Sequence, residues 1–334
     1  MRDDDLLLSI PNPEFGSGVI GVCDVCRKRQ AVIVLEKERF QLCVIDFLNK
    51  TWTGVKSAPG APLPPYRSER LWYPTAETRS GEAATVVLSP TKVVKHPIVL
   101  ITPEVYGLTT TLLDAAIRCA RAGCEVLLPD LQKSGAVGPS HHVTMRRGVA
   151  TGAGVPLDHS KIRALTRLYL DGLAFLRTRE MVDPEKVAIF GAGYGGALAA
   201  SVAAQDPNVT ALVVAYPTKV SPPESLRLVS APVLFLGAGR DKNSVQSLRQ
   251  YQEYLGTRGG RVDVLVAPDA KSPFLARDSK AYRLADAEAA WSRMDGFLRE
   301  RLLPPPPKPA PPPPTAATPA PAIPPKAPTP AAAT

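Results

Sequence analysis

The turn Gly191-Ala192-Gly193-Tyr194-Gly195-Gly196 constrains this 334-residue chain more than any other segment. It follows the apolar β-run Val187-Ala188-Ile189-Phe190 and opens a helix of small residues, Ala197 to Ala204. A strand that runs through a glycine-flanked turn into a helix is the setting of G-x-nucleophile-x-G, where a tight turn projects one side chain outward. The third position of that pattern is Gly193, which carries no hydroxyl or thiol. The same residues admit two other readings. Gly191, Gly193 and Gly196 satisfy G-x-G-x-x-G, a dinucleotide loop, which needs an acidic residue about 20 positions on to hold a ribose hydroxyl. The next β-run, Ala211 to Tyr216, is followed by Pro217, Thr218 and Lys219 and ends on no acid. Alternatively the glycines serve only close strand–helix packing. The nucleophile turn without its nucleophile ranks first, packing second and the nucleotide loop third.

The flanking blocks decide that order. Pro97 to Ile101 is a buried-strand run, followed by Glu104-Val105-Tyr106-Gly107-Leu108 and an amphipathic helix around Leu112 to Arg121. Next comes Gly123 to Leu131, ending Pro129-Asp130-Leu131. After the turn stand Pro232 to Asp241, ending Gly239-Arg240-Asp241, and near the end Ala290-Trp291-Ser292-Arg293. Together these resemble the dienelactone hydrolase family of α/β-hydrolases. That family shows an E-x-x-G-L turn, a G-[YF]-x-x-x-x-P-D-L strand, a G-x-C-x-G-G elbow, a G-x-x-D acid turn and an A-W-x-R helix. The likeness spans residues 67–303. It implies an α/β fold: an open, mostly parallel sheet with helices on both faces.

Residue by residue, the resemblance puts the nucleophile at Gly193, the acid at Asp241 and the histidine, from an H-x-F turn, at Ser272 in Ser272-Pro273-Phe274. The four histidines, His96, His141, His142 and His159, all precede Asp241, so the chain order nucleophile, acid, histidine is unavailable. Glu104 stands where the family has a glutamate near its thiol; otherwise it is an ordinary loop carboxylate. Asp241 also reads as the cap of a helix starting near Asn243. The family's substrate-binding arginine falls at Ala276, with Arg277 one residue late. Tyr194 can protrude beside the turn, Ser201 is expected to point at the sheet, and the stretch Gln132 to Ser160 carries three histidines beyond the end of a strand. The leading expectation is a hydrolase-like scaffold without catalysis that binds a small ligand or a partner. The alternative is an active ester or lactone hydrolase using Glu104, Asp241 and a loop histidine. The third is a nucleic-acid-associated regulator led by the N-terminal module.

Lys161 to Arg179 carries apolar residues at helical spacing, and Ser279 to Leu302 reads as a long closing helix. Cys119 and Cys124 read as core residues. Of 36 prolines, 15 fall between Pro304 and Pro330, in a tail without acidic or aromatic residues; polyproline II disorder is expected there, a passive solubilising tail being the commoner use and a tether or a proline-motif ligand for a protein partner the others. The domain expectation is a flexible start at 1–15, a small module at 16–55, a proline-rich linker at 56–66, the α/β domain at 67–303 and the tail at 304–334. The net charge of +9 is spread out, with short clusters at Arg27-Lys28-Arg29 and Arg146-Arg147, which argues against a nucleic-acid stripe. The acidic start Met1 to Leu8 is no signal peptide and no 18-residue apolar span exists, so a cytoplasmic protein without membrane helices is expected.

Cys23-Asp24-Val25-Cys26 and Cys43-Val44-Ile45-Asp46 form C-x2-C-x16-C-x2-D around a hairpin, Ala31 to Leu35 and Arg39 to Leu42. This resembles a treble-clef zinc finger, with Asp46 where similar modules have cysteine or histidine. A carboxylate oxygen also binds zinc. A module of this size buries too little apolar surface to hold without a staple, so the zinc is structural; free thiols, a disulfide or a redox pair are the other uses of these residues. Protein purified reduced and without chelator is therefore expected to carry stoichiometric zinc by elemental analysis, and metal-free protein would remove the site.

Overall fold

Strands that are apolar on both faces must be covered by helices on both sides, and the centre of this chain is built from such strands. The computed structural model describes five short strands near the amino end and residues 66–92, 94–102, 109–129, 144–146, 149–151, 159–219, 223–256, 262–277 and 279–303. The chain divides into two units, 1–303 and 304–334; the second, the proline-rich tail, lies outside the described residues.

The amino-terminal strands are β1 (Glu14–Phe15), β2 (Gly21–Val22), β3 (Gln30–Ala31), β4 (Ile33–Leu35) and β5 (Phe40–Leu42). β4 and β5 pair antiparallel from Ile33↔Leu42 to Leu35↔Phe40, the hairpin expected there. The main unit runs β6 (Tyr66–Pro74), β7 (Glu82–Pro90), β8 (His96–Thr102), α1 (Thr110–Arg121), β9 (Glu125–Pro129), β10 (Thr144–Arg146), β11 (Val149–Thr151), α2 (His159–Arg177), β12 (Val182–Ala192) and α3 (Tyr194–Gln205). It continues with β13 (Val209–Ala215), a 3₁₀ turn (Pro223–Leu228), β14 (Val233–Ala238), α4 (Lys242–Gly256), β15 (Val262–Ala267) and α5 (Leu284–Leu302).

Eight strands form one sheet in the order β15-β14-β13-β12-β8-β9-β7-β6. From β15 to β9 every pairing is parallel; β7 joins β9 and β6 antiparallel. Alternate residues feed two cores. Val99, Ile101, Ala188, Phe190, Val213 and Leu236 face α1 and α5. Ile98, Leu100, Ile189, Leu212, Val214 and Phe235 face α2, α3 and α4. This is the α/β-hydrolase-like arrangement that the resemblance implied.

Local chemistry sets the boundaries. α1 stops at Gly123, which takes φ 98° while its N–H donates to Ala120 O and the Cys124 N–H to Cys119 O, a Schellman stop that turns the chain into β9. α5 begins at Leu284, not at Ser279 as expected, because Ser279 Oγ accepts from the Ala281 N–H and Arg283 N–H donates back to Phe274 O, winding that segment into a turn. The β6–β7 hairpin was not assigned from sequence: charges interleave its buried positions, Tyr66, Ser68 and Tyr73 among them.

At the amino end of the parallel strands, Glu125 is only 2% exposed and is held by Arg179 Nε at 2.9 Å and Ser89 Oγ at 2.9 Å. Arg179 also reaches Glu69 at 3.2 Å, so one guanidinium ties β6 and β9 to the turn before β12. Burial pushes the Glu125 carboxyl up, and Ser89, Arg179 and His96 oppose that shift. Removing Arg179 leaves a buried charge uncompensated. Because Arg179 is partly exposed, Arg179→Met should cost about 2–3 kcal/mol in urea denaturation at neutral pH, below the cost for a fully buried pair. The folded state holds the Glu125 proton more tightly than the unfolded chain, so ionisation weakens the fold as pH rises through the carboxyl range. The deficit of the variant against wild type should accordingly shrink as pH falls through that range; a pH-independent deficit would contradict this.

Candidate functional site

Gly193 is the single residue between β12 and α3, and its backbone sits at φ 53°, ψ −119°. A side chain raises the cost of that conformation by about 1–3 kcal/mol, whereas glycine enters it freely. Three hydrogen bonds fix it: its N–H donates to Ala215 O at 2.9 Å, and its carbonyl accepts from Thr218 N–H at 2.9 Å and Gly196 N–H at 3.2 Å. The neighbouring glycines have a different cause. A Cβ on Gly191 would lie 2.3 Å from Gly195 O and 2.5 Å from Thr102 Oγ1, and one on Gly196 would lie 2.7 Å from Pro217 Cβ. Strand and helix therefore touch backbone to backbone. Thr102, buried at the end of β8, completes the contact: its hydroxyl donates to Gly195 O at 2.7 Å and lies 3.1 Å from Phe190 O. Sequence reasoning missed Thr102; only its place at the end of a buried strand marks it.

Gly193, Asp241 and Ser272 follow β12, β14 and β15, so all three stand on the carboxyl rim of the parallel sheet, where open α/β sheets bind ligands. Asp241 is turned to its own helix. Its Oδ1 accepts from the Asn243 N–H at 2.9 Å and the Ser244 N–H at 3.4 Å, capping α4 as the second reading of that residue expected. Ser272 Oγ is closed off from solvent and makes no hydrogen bond among the described residues. Its turn is pinned through Phe274, whose ring packs edge-on against Tyr216 at 5.6 Å.

Tyr216 is the second residue the sequence did not single out. It has φ 36°, the positive value found among the described non-glycine residues. Its N–H donates to Leu236 O and its hydroxyl lies 3.3 Å from Thr111 Oγ1 at the start of α1. One strained tyrosine thus joins the ends of β13 and β14, the first turn of α1 and the Ser272 turn. Strain of this kind gathers at functional sites.

The remaining candidates divide. Tyr194 is half-buried at the first turn of α3, beside Gly193; the first amides of a helix have no intrahelical acceptor. Arg277 is committed elsewhere: its Nε lies 2.8 Å and its Nη2 2.9 Å from the two oxygens of Asp114 on α1, a fork that occupies the guanidinium. Ala276 is buried. Ser201 does not point at the sheet as expected; it accepts from Thr166 Oγ1 at 3.1 Å and so faces α2. His96 opens β8 at the amino end, opposite the rim, buried near Glu125. Glu104, His141 and His142 lie outside the described residues, as does the side chain of His159. Cys119 and Cys124 are buried core thiols as expected; burial raises both, Cys124 to about 12, which leaves them protonated and unreactive. Cys23, Cys26, Cys43 and Asp46 also lie outside the described residues, and among the described residues no cluster of three metal-ligating side chains forms. No helix among them is long and apolar enough to cross a membrane.

Residues 83–302 match the model of the dienelactone hydrolase family, two thirds of the chain, and the chain belongs to that family. It is 25% identical over 221 residues to a Yersinia pestis protein named "Putative carboxymethylenebutenolidase", covering 60% of this chain and 76% of that one. An Escherichia coli K12 protein of the same name is 26% identical over 209 residues, covering 59% and 74%. Among solved structures, a "Putative Dienelactone Hydrolase" from Klebsiella pneumoniae superposes with TM-score 0.56 at 18% identity, over 70% of this chain and 99% of that one. The dienelactone hydrolase-like promiscuous phosphotriesterase P91 from metagenomic libraries gives 0.58 at 17%, over 71% and 99%. These likenesses show the fold.

The two glycine requirements are separable. Gly193→Ala puts a side chain at φ 53° and should cost about 1–3 kcal/mol of backbone strain by urea denaturation. Gly191→Ala drives a Cβ into backbone oxygen and should cost clearly more. Equal losses, or the reverse order, would contradict this reading of the turn.

Proposed function

We propose that this member of the dienelactone hydrolase family is a non-catalytic scaffold whose carboxyl rim binds a small neutral or weakly polar ligand. One observation carries the reading: the residue in the outward position of the elbow is a glycine, held in the conformation that the turn demands of any occupant. An acyl-transfer cycle needs an atom there to attack a carbonyl and a base to take its proton. The matching positions supply neither: Gly193 has no side chain, and the hydroxyl of Ser272 is not basic at neutral pH. Asp241 spends its carboxylate on the cap of α4. Arg277 spends its charge on Asp114, which argues against a carboxylate ligand held as the family holds it. The zinc module, the use of the tail as a protein ligand and a cytoplasmic location belong to the same proposal, resting on sequence alone.

A second reading, a working ester or lactone hydrolase with an unconventional site, is favoured by the names of the relatives, which are those of hydrolases. The two readings separate in a restoration series. Purified wild type is expected to leave p-nitrophenyl acetate and dihydrocoumarin unhydrolysed beyond a heat-inactivated control. Gly193→Cys and Ser272→His should each stay silent and the double variant should turn over, since a nucleophile and its base act as one unit. Wild-type turnover that falls on Glu104→Gln or Asp241→Ala would establish the hydrolase instead.

A further inference from the structure

The sheet has two free edges among the described residues, and they are built differently. β6 carries Arg67, Glu69 and Arg70 and ends at Pro74, residues that keep an edge strand from pairing with another chain. β15, Val262-Asp263-Val264-Leu265-Val266-Ala267, has no lysine, arginine or proline, and it pairs with β14 without a bulge from Val233↔Val262 to Ala238↔Ala267. Its outer hydrogen-bonding groups therefore form a straight, unbroken row. Leu265 and Ala267 turn toward the core under α5. The opposite face carries valine at 262, 264 and 266; Val264 is 38% exposed and Val266 36%. Val262 packs on the core under α4, so cover on that face stops one residue short of Val264.

We propose that β15 is a self-association edge, pairing antiparallel with β15 of a second copy about a two-fold axis through Val264. A second copy fits because the pattern is its own complement. A two-fold axis perpendicular to a sheet keeps each face on its own side, so paired residues must share a face. Centred on Val264, the pairing sets Val264 against its counterpart and Val262 against Val266 of the second copy. Six valines then make one continuous stripe on that face, with each exposed valine flanked by a valine of the second copy. Charge agrees on the other face. Asp263 is 3.6 Å from Arg301 and 3.8 Å from Arg293, and Arg293 is 49% exposed. Asp263 of the second copy arrives diagonally across the axis, where diagonal neighbours stay within reach of long side chains. Each Arg293 then bridges its own carboxylate and that of the second copy. The inference is independent of whether the rim is catalytic.

The full-length chain is expected to sediment as a dimer at micromolar concentration. Val264→Lys places like charges directly opposite each other; it should lose the dimer and keep the far-UV circular dichroism of wild type. Register is read by cysteine pairing. Directly opposed Cβ atoms lie about 4.5–5.5 Å apart, near disulfide reach, so Val264→Cys should form a covalent dimer with diamide. Val266→Cys, which faces Val262 and not itself, should cross-link no more than wild type. A monomeric wild type, a Val264→Lys variant that stays dimeric, or equal cross-linking at 264 and 266 would overturn the proposal; the cysteine pair decides it even if the lysine variant fails to fold.

Discussion

Thr102, Gly191 and Gly195 meet at distances that leave no room for a side chain, and this contact sets where β8, β12 and α3 stand relative to one another. Because the helix backbone touches the strand backbone, the chain must reverse within one residue, and Gly193 is that residue. The strain is affordable by a wide margin. Val187, Ile189 and Phe190 are fully buried on the strand that enters the turn, and each such side chain contributes about 1.5–3 kcal/mol. That total exceeds the cost of one strained residue, so the elbow persists whether or not its outward position carries a reactive group. Architecture and chemistry are thus uncoupled at this position, and a glycine in the outward position leaves the frame standing.

Much of the frame is legible in the sequence, because buried parallel strands are nearly continuous apolar runs. Pro97 to Ile101, Val187 to Phe190, Ala211 to Ala215 and Val262 to Val266 all lie within strands of the sheet. The elbow is legible because glycines forced by close approach leave a spaced mark. What was hidden is polar and long-range. Nothing near Arg277 in sequence announces Asp114, and nothing near Thr102 announces Gly195 O, a contact across 93 positions. Tyr216 looks like the last residue of an apolar run; its positive φ arises from hydrogen bonding to β14 and from Pro217 packing on Gly196. The start of α5 was misplaced for the same reason, since Arg283 N–H bonds to Phe274 O instead of continuing a helix.

Three charged groups of the rim are engaged with partners of their own. Asp241 serves α4, Arg277 serves Asp114, and Arg240 pairs with Asp269 at 2.7 Å beside them. Among the described residues, the elbow is flanked by backbone amides, the phenols of Tyr194 and Tyr216 and the hydroxyls of Thr111 and Ser272. Such groups recognise shape and single hydrogen bonds, the usual make-up of a small-molecule site in which a few polar atoms fix orientation. A hydroxyl among them becomes a nucleophile only with a base placed beside it.

The central claim is therefore about one missing atom, and it is tested most directly by intact-mass spectrometry after incubation with a fluorophosphonate. This account predicts an unshifted mass under conditions that fully label a serine or cysteine hydrolase run in parallel. A stoichiometric adduct mapped by peptide sequencing to any side chain on the carboxyl rim would contradict it.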